Sequence, residues 1–90
     1  MSRKERVTRI IDGDTFKTES RKNPVRLANV DAPEKGQPGY TKAKEILRNI
    51  IEGEEVKIQT VSRDKYSRSI ARVYKGRESV NKEMQEKLKK

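Results

Sequence analysis

Apolar and β-branched residues near the start of the chain are spaced as in a β-hairpin. Val7–Ile11 is a short β-branched run closed by Asp12-Gly13-Asp14, and an extended pattern resumes over Thr15–Thr18. An Asp-Gly pair between two such runs is a turn signal, because both residues tolerate the backbone angles of tight turns. The pattern therefore predicts two antiparallel strands joined at residues 12–14.

A third strand is predicted over residues 24–30, after a polar break. Within it Val25 and Leu27 alternate with Arg26. Because successive side chains of a strand point to opposite faces, we expect Arg26 to point away from the core and to be available to a ligand. The segment 31–34 then ends the strand, and a loop with two glycines and one proline follows over 35–39.

One amphipathic helix is predicted from Thr41 to Ile51. Apolar residues recur there at helical spacing, namely at Ala43, Ile46, Leu47, Ile50 and Ile51. Gly53, just beyond, suits the C′ position, where the backbone is often left-handed.

The remaining chain predicts two more strands and a second helix. Val56, Ile58 and Val61 mark a fourth strand, and Ile70–Tyr74 a fifth. Gly76 then turns the chain into the final helix. That helix carries its apolar stripe at Val80, Met84 and Leu88, and its N-cap is Ser79 or Asn81.

The order of these elements predicts an α+β fold, a five-stranded OB-fold barrel with two helices. Ninety residues suffice for one domain, which we expect over 1–90 with a core at about 5–88. Barrels of this type commonly bind oligonucleotides on one face.

The charge balance points to a polyanionic partner. The chain has 23 Lys and Arg against 14 Asp and Glu, a formal net charge of +9. Nucleic acid is favoured over membrane, because no long amphipathic basic helix stands out. The chain contains no Cys and no His, which excludes disulfides, thiolate or imidazole metal sites, and a His general base.

The ends and apolar runs of the sequence carry little targeting information. The first six residues are polar, and no apolar run approaches the ~20 residues of a membrane span. We therefore expect a cytoplasmic protein without a signal peptide and without a membrane partner. We also expect a monomer that binds single-stranded DNA or RNA and has no protein partner.

Three carboxylates and two arginines carry the candidate chemistry: Asp14, Asp31, Glu34, Arg26 and Arg68. Carboxylates are hard oxygen ligands for Ca²⁺ or Mg²⁺, and guanidinium groups are fixed forks for phosphate oxygens, which together suit phosphodiester hydrolysis. Without His a carboxylate must serve as base. Taken singly, each residue has an ordinary explanation as a turn residue, an ion-pair partner or surface charge.

Several short motifs, in order and in register over residues 5–88, resemble the staphylococcal-nuclease-like (thermonuclease) family. The motifs are Ile10-Ile11-Asp12-Gly13-Asp14-Thr15, Val25-Arg26-Leu27, Val30-Asp31-Ala32-Pro33-Glu34, Asp64-Lys65-Tyr66-Ser67-Arg68 and Val80-Asn81. The resemblance implies an OB-fold and a Ca²⁺-dependent nuclease that cuts DNA or RNA with little sequence specificity. It also implies products with 5′-hydroxyl and 3′-phosphate ends.

The resemblance further implies a role for each matching residue. Ca²⁺ would be held by Asp14, Asp31 and the backbone carbonyl of Ala32. Glu34 would activate the attacking water, while Arg26 and Arg68 would grip the phosphate and stabilise its transition state.

Three more positions match residues that surround the reacting group in the family. Lys65 and Tyr66 look like contacts to the terminal phosphate of a bound nucleotide. Asp12 looks like an accessory acid near the metal.

The chain also departs from the family pattern. Ala32 stands where Thr is frequent, and Ser67 stands where Gly is usual. The given sequence ends after the second helix, so we expect a short form without the third helix and the base-stacking aromatic residues before it. We therefore also expect weaker substrate binding with chemistry retained. The alternative function is a non-catalytic OB-fold module that binds nucleic acid, although such modules usually lack some of the acids and arginines kept here.

Overall fold

The computed structural model describes residues 4–89, which form six strands and two helices. In chain order these are β1 (Lys4–Asp12), β2 (Thr15–Thr18), β3 (Val25–Leu27), α1 (Tyr40–Ile51), β4 (Glu55–Arg63), β5 (Ser69–Lys75), β6 (Glu78–Ser79) and α2 (Val80–Leu88). The predicted order of five strands and two helices is confirmed. The additional β6 has two residues, too few for an apolar periodicity to reveal it.

The first five strands pair in a closed ring, as in an OB-fold. Strand β1 pairs antiparallel with β2 and with β4, and β2 pairs antiparallel with β3. Strand β5 pairs antiparallel with β4 and parallel with β3, which completes the ring. The short β6 pairs only with β5, where Tyr74 lies opposite Ser79.

A small apolar core fills the barrel and extends to both helices. Phe16 and Leu27 from the barrel, Leu47 and Ile51 from α1, and Met84 from α2 are fully buried. Each such side chain contributes about 1.5–3 kcal/mol on leaving water. The core therefore fixes both helices against the barrel. No helix within residues 4–89 is long and apolar enough to cross a membrane.

The ends of the elements follow local backbone chemistry. Strand β3 is shorter than predicted, because the chain turns at residues 28–29 and Asn29 adopts φ 60°. Gly53 follows the cap of α1 with φ 78°, which confirms its C′ position. Ser79 caps α2 by accepting a 3.2 Å hydrogen bond from the backbone N–H of Lys82.

Asn81, the other predicted cap, instead fastens α2 to the barrel. Its side-chain carbonyl accepts from the N–H of Val73 at 2.8 Å, and its amide donates to the carbonyls of Ala28 and Ala71 at 2.9 and 3.0 Å. These buried groups lie at the edge of β5, and their pairing avoids the cost of orphaned backbone polar groups.

Candidate active site

A pocket of about 590 Å³ gathers most of the predicted site residues, although they are distant in sequence. We call it the acidic pocket. It opens where the β1–β2 turn, β3 with its following loop, and the β4–β5 loop meet. Its lining is Asp12, Asp14, Arg26, Asp31, Ala32, Pro33, Glu34, Gln37, Asp64, Arg68 and Ile70. Lys65 and Tyr66 are the two predicted site residues outside that lining.

The acidic pocket has a charge opposite to that of the chain. Five carboxylates line it against two guanidinium groups, whereas the whole chain has a net charge of +9. Like charges held close together repel, and a bound cation relieves that repulsion. The pocket is therefore suited to a cation, while its two arginines are suited to an anion.

Asp14 is the buried acid of the set. Its carboxylate accepts a 2.9 Å hydrogen bond from the hydroxyl of Thr15 and lies 3.4 Å from a guanidinium nitrogen of Arg26. Burial, followed by the neighbouring Asp12, nevertheless raises the pKa of Asp14 to about 6. The protein thus compensates the negative charge of Asp14 poorly. A bound metal ion would supply the missing positive charge.

The other proposed metal ligands lie on the loop after β3. Asp31 is exposed, Ala32 is buried beside it, and both line the acidic pocket together with Asp14. Within residues 4–89 no three acidic side chains are grouped closely enough to hold a metal between them. Two carboxylates with a backbone carbonyl and water are the hard oxygen donors that Ca²⁺ accepts, so the residues present fit this ion.

Gly13 permits the close packing that brings these ligands together. A Cβ at this position would lie 2.7 Å from the Cβ of Ala43 and 2.8 Å from the Cβ of Ala32. Any side chain would therefore push the β1–β2 turn away from α1 and from the β3–α1 loop. The sequence indicated a turn here, and the structure adds close packing as a reason for glycine.

Arg26 points out of the core, as predicted. Its guanidinium donates to the backbone carbonyls of Leu27 and Val30 at 3.4 and 3.1 Å, besides its contact with Asp14. Its side chain is 26% exposed, so that it is held on one side and open to the pocket on the other. A guanidinium fixed in this way can donate to a phosphate without first being ordered.

Arg68 is held by Asp64, a residue to which the sequence assigned no role. The carboxylate of Asp64 accepts from Nε of Arg68 at 2.5 Å, and from the backbone N–H groups of Arg68 and Tyr66 at 2.9 Å. Desolvation opposes ionisation, but the hydrogen bonds from Arg68 and Tyr66 prevail and lower the pKa of Asp64. An Asp that opens a short polar turn is the signal that could have identified this role.

Arg21 supports the first residue of β5, which directly follows Arg68 in the chain. It makes a bidentate pair with Glu5, at 2.8 and 3.0 Å, and donates to the hydroxyl of Ser69 at 3.3 Å. Desolvation of the Glu5 carboxyl opposes its ionisation, but the hydrogen bonds from Arg21, Ser20 and Thr18 lower the pKa of Glu5.

Glu34 lies on a tight turn closed by Gln37. The side-chain carbonyl of Gln37 accepts from the N–H of Glu34 at 2.8 Å, and the N–H of Gln37 donates to the carbonyl of Glu34 at 2.9 Å. The Glu34 side chain is exposed and lines the acidic pocket. Gln37 thus positions the backbone of Glu34, a role that the loop sequence did not reveal.

Lys65 and Tyr66 lie on the β4–β5 loop beside the acidic pocket. Tyr66 is 67% exposed. The ammonium of Lys65 lies 5.2 Å from its ring centroid, and the guanidinium of Arg68 lies 5.7 Å from it. Arg68 therefore connects the exposed ring with the pocket.

Comparison with known proteins places the chain in a family. A family model described as staphylococcal nuclease homologue matches residues 24–87, which is more than half of the chain. A Haemophilus influenzae protein named uncharacterized endonuclease is 38% identical over 82 residues, which cover 88% of this chain and 46% of the relative. An Escherichia coli protein with the same name is 38% identical over 71 residues, covering 77% and 46%.

A relative from Shigella flexneri is similar over a comparable share of the chain. This protein, named micrococcal nuclease, is 37% identical over 70 residues, which cover 76% of this chain and 40% of the relative. The chain thus spans less than half the length of these curated relatives.

Proposed function

This chain belongs to the staphylococcal nuclease family, and we propose that it is a Ca²⁺-dependent nuclease that hydrolyses phosphodiester bonds of DNA or RNA with little sequence specificity. The products would have 5′-hydroxyl and 3′-phosphate ends. The observation that carries the proposal is the acidic pocket, which combines an excess of carboxylates with two anchored arginines. The endonuclease and micrococcal nuclease names of the relatives support the same activity.

Asp14, Asp31 and the carbonyl of Ala32 would hold the metal, with Asp12 as an accessory acid. The raised pKa of Asp14 and the proximity of Asp12 support this assignment, because both acids gain from a nearby cation. Bound Ca²⁺ would supply positive charge that polarises a phosphate oxygen.

Glu34 would act as the general base. Its exposed carboxylate faces the acidic pocket and would accept a proton from the water that attacks phosphorus. The turn closed with Gln37 would keep this carboxylate at the edge of the pocket. Asp14 is unsuited to the task if it holds the metal, because the cation would lower the basicity of its carboxylate.

Arg26 and Arg68 would stabilise the charge that develops on the phosphate. Attack by water leaves additional negative charge on the equatorial oxygens, and fixed donors aimed at them are among the largest catalytic effects. Loss of one comparable donor costs about 2.7–4 kcal/mol in other enzymes. Both arginines are already held by neighbouring acceptors, so little ordering would be needed on binding.

Low sequence specificity follows from the same contacts. Contacts to phosphate fix the position of a nucleic acid but do not read its bases directly. Lys65 and Tyr66 would contact the nucleotide next to the scissile phosphate. The exposed ring of Tyr66 favours single-stranded substrate, because it can stack on an unpaired base, which an intact duplex does not offer.

The decisive experiment is cleavage of labelled single-stranded DNA and RNA by the purified protein, in Ca²⁺ and in chelator, with product ends identified. Glu34→Gln should lower turnover by about 10²–10⁴ and leave binding intact. Glu45→Gln, an exposed glutamate on α1 outside the acidic pocket, is the matched control. Binding without cleavage would favour the alternative, a nucleic-acid-binding OB-fold without catalytic activity.

A further inference from the structure

A second cavity opens directly beside the acidic pocket. Four residues of the β3–α1 loop line both cavities: Asp31, Ala32, Pro33 and Gln37. The second cavity has a volume of about 640 Å³, comparable with that of the acidic pocket. A substrate that extends beyond the acidic pocket on this side therefore enters the second cavity.

The second cavity has a basic rim and an apolar floor, and we call it the lysine groove. The rim is Lys42 on α1, Lys87 in the last turn of α2, and Lys89 just after it, all exposed. The floor includes Ile46 and Leu88, both partly buried against the core. In proteins that hold single-stranded nucleic acid, a positively charged groove follows the sugar-phosphate backbone.

The lysines of the groove are available to a ligand. Among residues 4–89 none of the three makes an ion pair, and Asp31 is the one carboxylate that lines the groove with them. By contrast, the ion pairs within this part of the chain are all made by arginines, namely Arg6, Arg21, Arg26, Arg48 and Arg68. The free ammonium groups give the groove a net positive charge.

The groove and the β4–β5 loop serve different sides of the acidic pocket. Asp64 and Arg68 bring the β4–β5 loop, with Tyr66, to the pocket, but no residue of that loop lines the groove. A scissile phosphate has one nucleotide on each side. If Lys65 and Tyr66 contact one neighbour, the β3–α1 loop offers the other neighbour a path out of the acidic pocket.

We propose that the lysine groove holds the part of a DNA or RNA single strand that leaves the acidic pocket on the side away from Tyr66. This inference rests on the proposed nuclease function. The ammonium groups of Lys42, Lys87 and Lys89 contact successive phosphates, and the apolar floor contacts sugars or bases. The groove thereby lengthens the binding site of an enzyme whose acidic pocket grips only one phosphate.

The test compares binding of oligothymidylates of two and eight nucleotides, measured by fluorescence anisotropy in chelator at several NaCl concentrations. Lys42→Gln/Lys87→Gln removes two charges from the groove. Lys57→Gln/Lys82→Gln removes two exposed lysines that line neither cavity, and is the charge-matched control. Thermal melting of both pairs shows whether each variant is folded.

We expect the groove variant to bind the octamer at least about fivefold more weakly at 50 mM salt, with a salt slope lower by about 1.4. Binding of the dinucleotide should stay unchanged. An equal loss in the control pair would overturn the proposal by showing diffuse attraction, and an equal loss with the dinucleotide would place the lysines in the acidic pocket. Wild-type affinity for the octamer in the groove variant would overturn it as well.

The same proteins separate this proposal from the nuclease proposal. If wild type cleaves nucleic acid but the groove variant changes neither octamer binding nor octamer kcat/KM, the groove proposal is wrong and the nuclease proposal stands. If octamer binding depends on the groove but wild type does not cleave, the nuclease proposal is wrong and the groove remains a nucleic-acid-binding surface.

Discussion

The buried hydroxyl of Thr15 donates a 2.9 Å hydrogen bond to the carboxylate of Asp14. The same oxygen accepts from a guanidinium nitrogen of Arg68 at 3.4 Å. One hydroxyl therefore joins Asp14, a proposed metal ligand, to Arg68, a proposed hydrogen-bond donor to the phosphate. This link couples the positions of the two groups whose charges must complement each other in the nuclease reaction.

Removal of this hydroxyl should weaken both functions. Thr15→Val keeps the shape of the side chain but removes its hydrogen bond to Asp14. Because this hydrogen bond lowers the pKa of Asp14, its loss makes the ionised carboxylate less stable. A hydrogen bond to a charged group is worth about 1.5–3 kcal/mol, so kcat should fall about tenfold or more. The Ca²⁺ concentration needed for half-maximal protection against melting should rise. Thr15→Ser keeps the hydroxyl and should behave nearly as wild type, whereas equal defects in both variants would indicate a packing role.

The pKa of Asp14 predicts an unusual pH dependence of stability in chelator. Its pKa is raised from 3.8 to about 6 on folding, so its contribution is fully present below the unfolded value and is lost as pH rises through 6. The free energy of unfolding should therefore fall by roughly 1 kcal/mol between pH 5 and pH 7.5. Urea unfolding of wild type and Asp14→Asn measures this, and the variant should lack that part of the dependence. Saturating Ca²⁺ should abolish it in wild type, because the ion stabilises the carboxylate.

Substitution of Gly13 should disturb the metal ligands through packing. Gly13→Ala places a methyl group within 3 Å of Ala32 and Ala43. Such overpacking costs about 1–3 kcal/mol of stability, and displacement of Ala32 should reduce the rise in melting temperature on Ca²⁺ addition. Adding Ala43→Gly removes one of the two clashes and should recover part of the Ca²⁺ response. A normal Ca²⁺ response in Gly13→Ala would argue against the carbonyl of Ala32 as a ligand.

Substitution of Ser67 by glycine should raise the stability of the protein. It adopts φ 65°, a left-handed conformation that costs an L-residue about 1–2 kcal/mol and that glycine reaches freely. After the greater chain entropy of glycine is subtracted, Ser67→Gly should stabilise the protein by about 0.5 kcal/mol. Asn29→Gly, at φ 60°, is the comparison, and its gain should be smaller because Asn tolerates this region. Chemical denaturation of both variants decides the order.

The sequence anticipated the local parts of this molecule well. Strand alternation around Arg26 gave its outward direction, and the helical spacing before Gly53 gave α1 with its end. These features depend on neighbours within one or two turns, so the period of apolar residues records them directly. The short β6 and the early end of β3 at Leu27, before the turn at Asn29, were not anticipated, since a few residues carry no period and turn geometry outweighs strand propensity.

The sequence by itself determined which chemical groups the protein has and the order of its elements. It contains carboxylates and arginines but no His or Cys, in motifs that resemble one nuclease family, and this was enough to name Glu34 as the candidate base. The tertiary structure decided how those groups interact. Thr15 and Arg68 are 53 residues apart, and their contact exists only because the parallel pairing of β3 with β5 closes the barrel.

Burial in the folded chain likewise raised the pKa of Asp14. Long-range proximity decided the need for glycine at position 13 and the position of the lysine groove beside the acidic pocket. The physical reason is that steric contact acts over a few ångströms and electrostatic repulsion weakens as the separation in space grows. They depend on distances in space, which linear spacing does not record. Chemical identity is local to a residue, whereas its pKa and its partners belong to the folded chain.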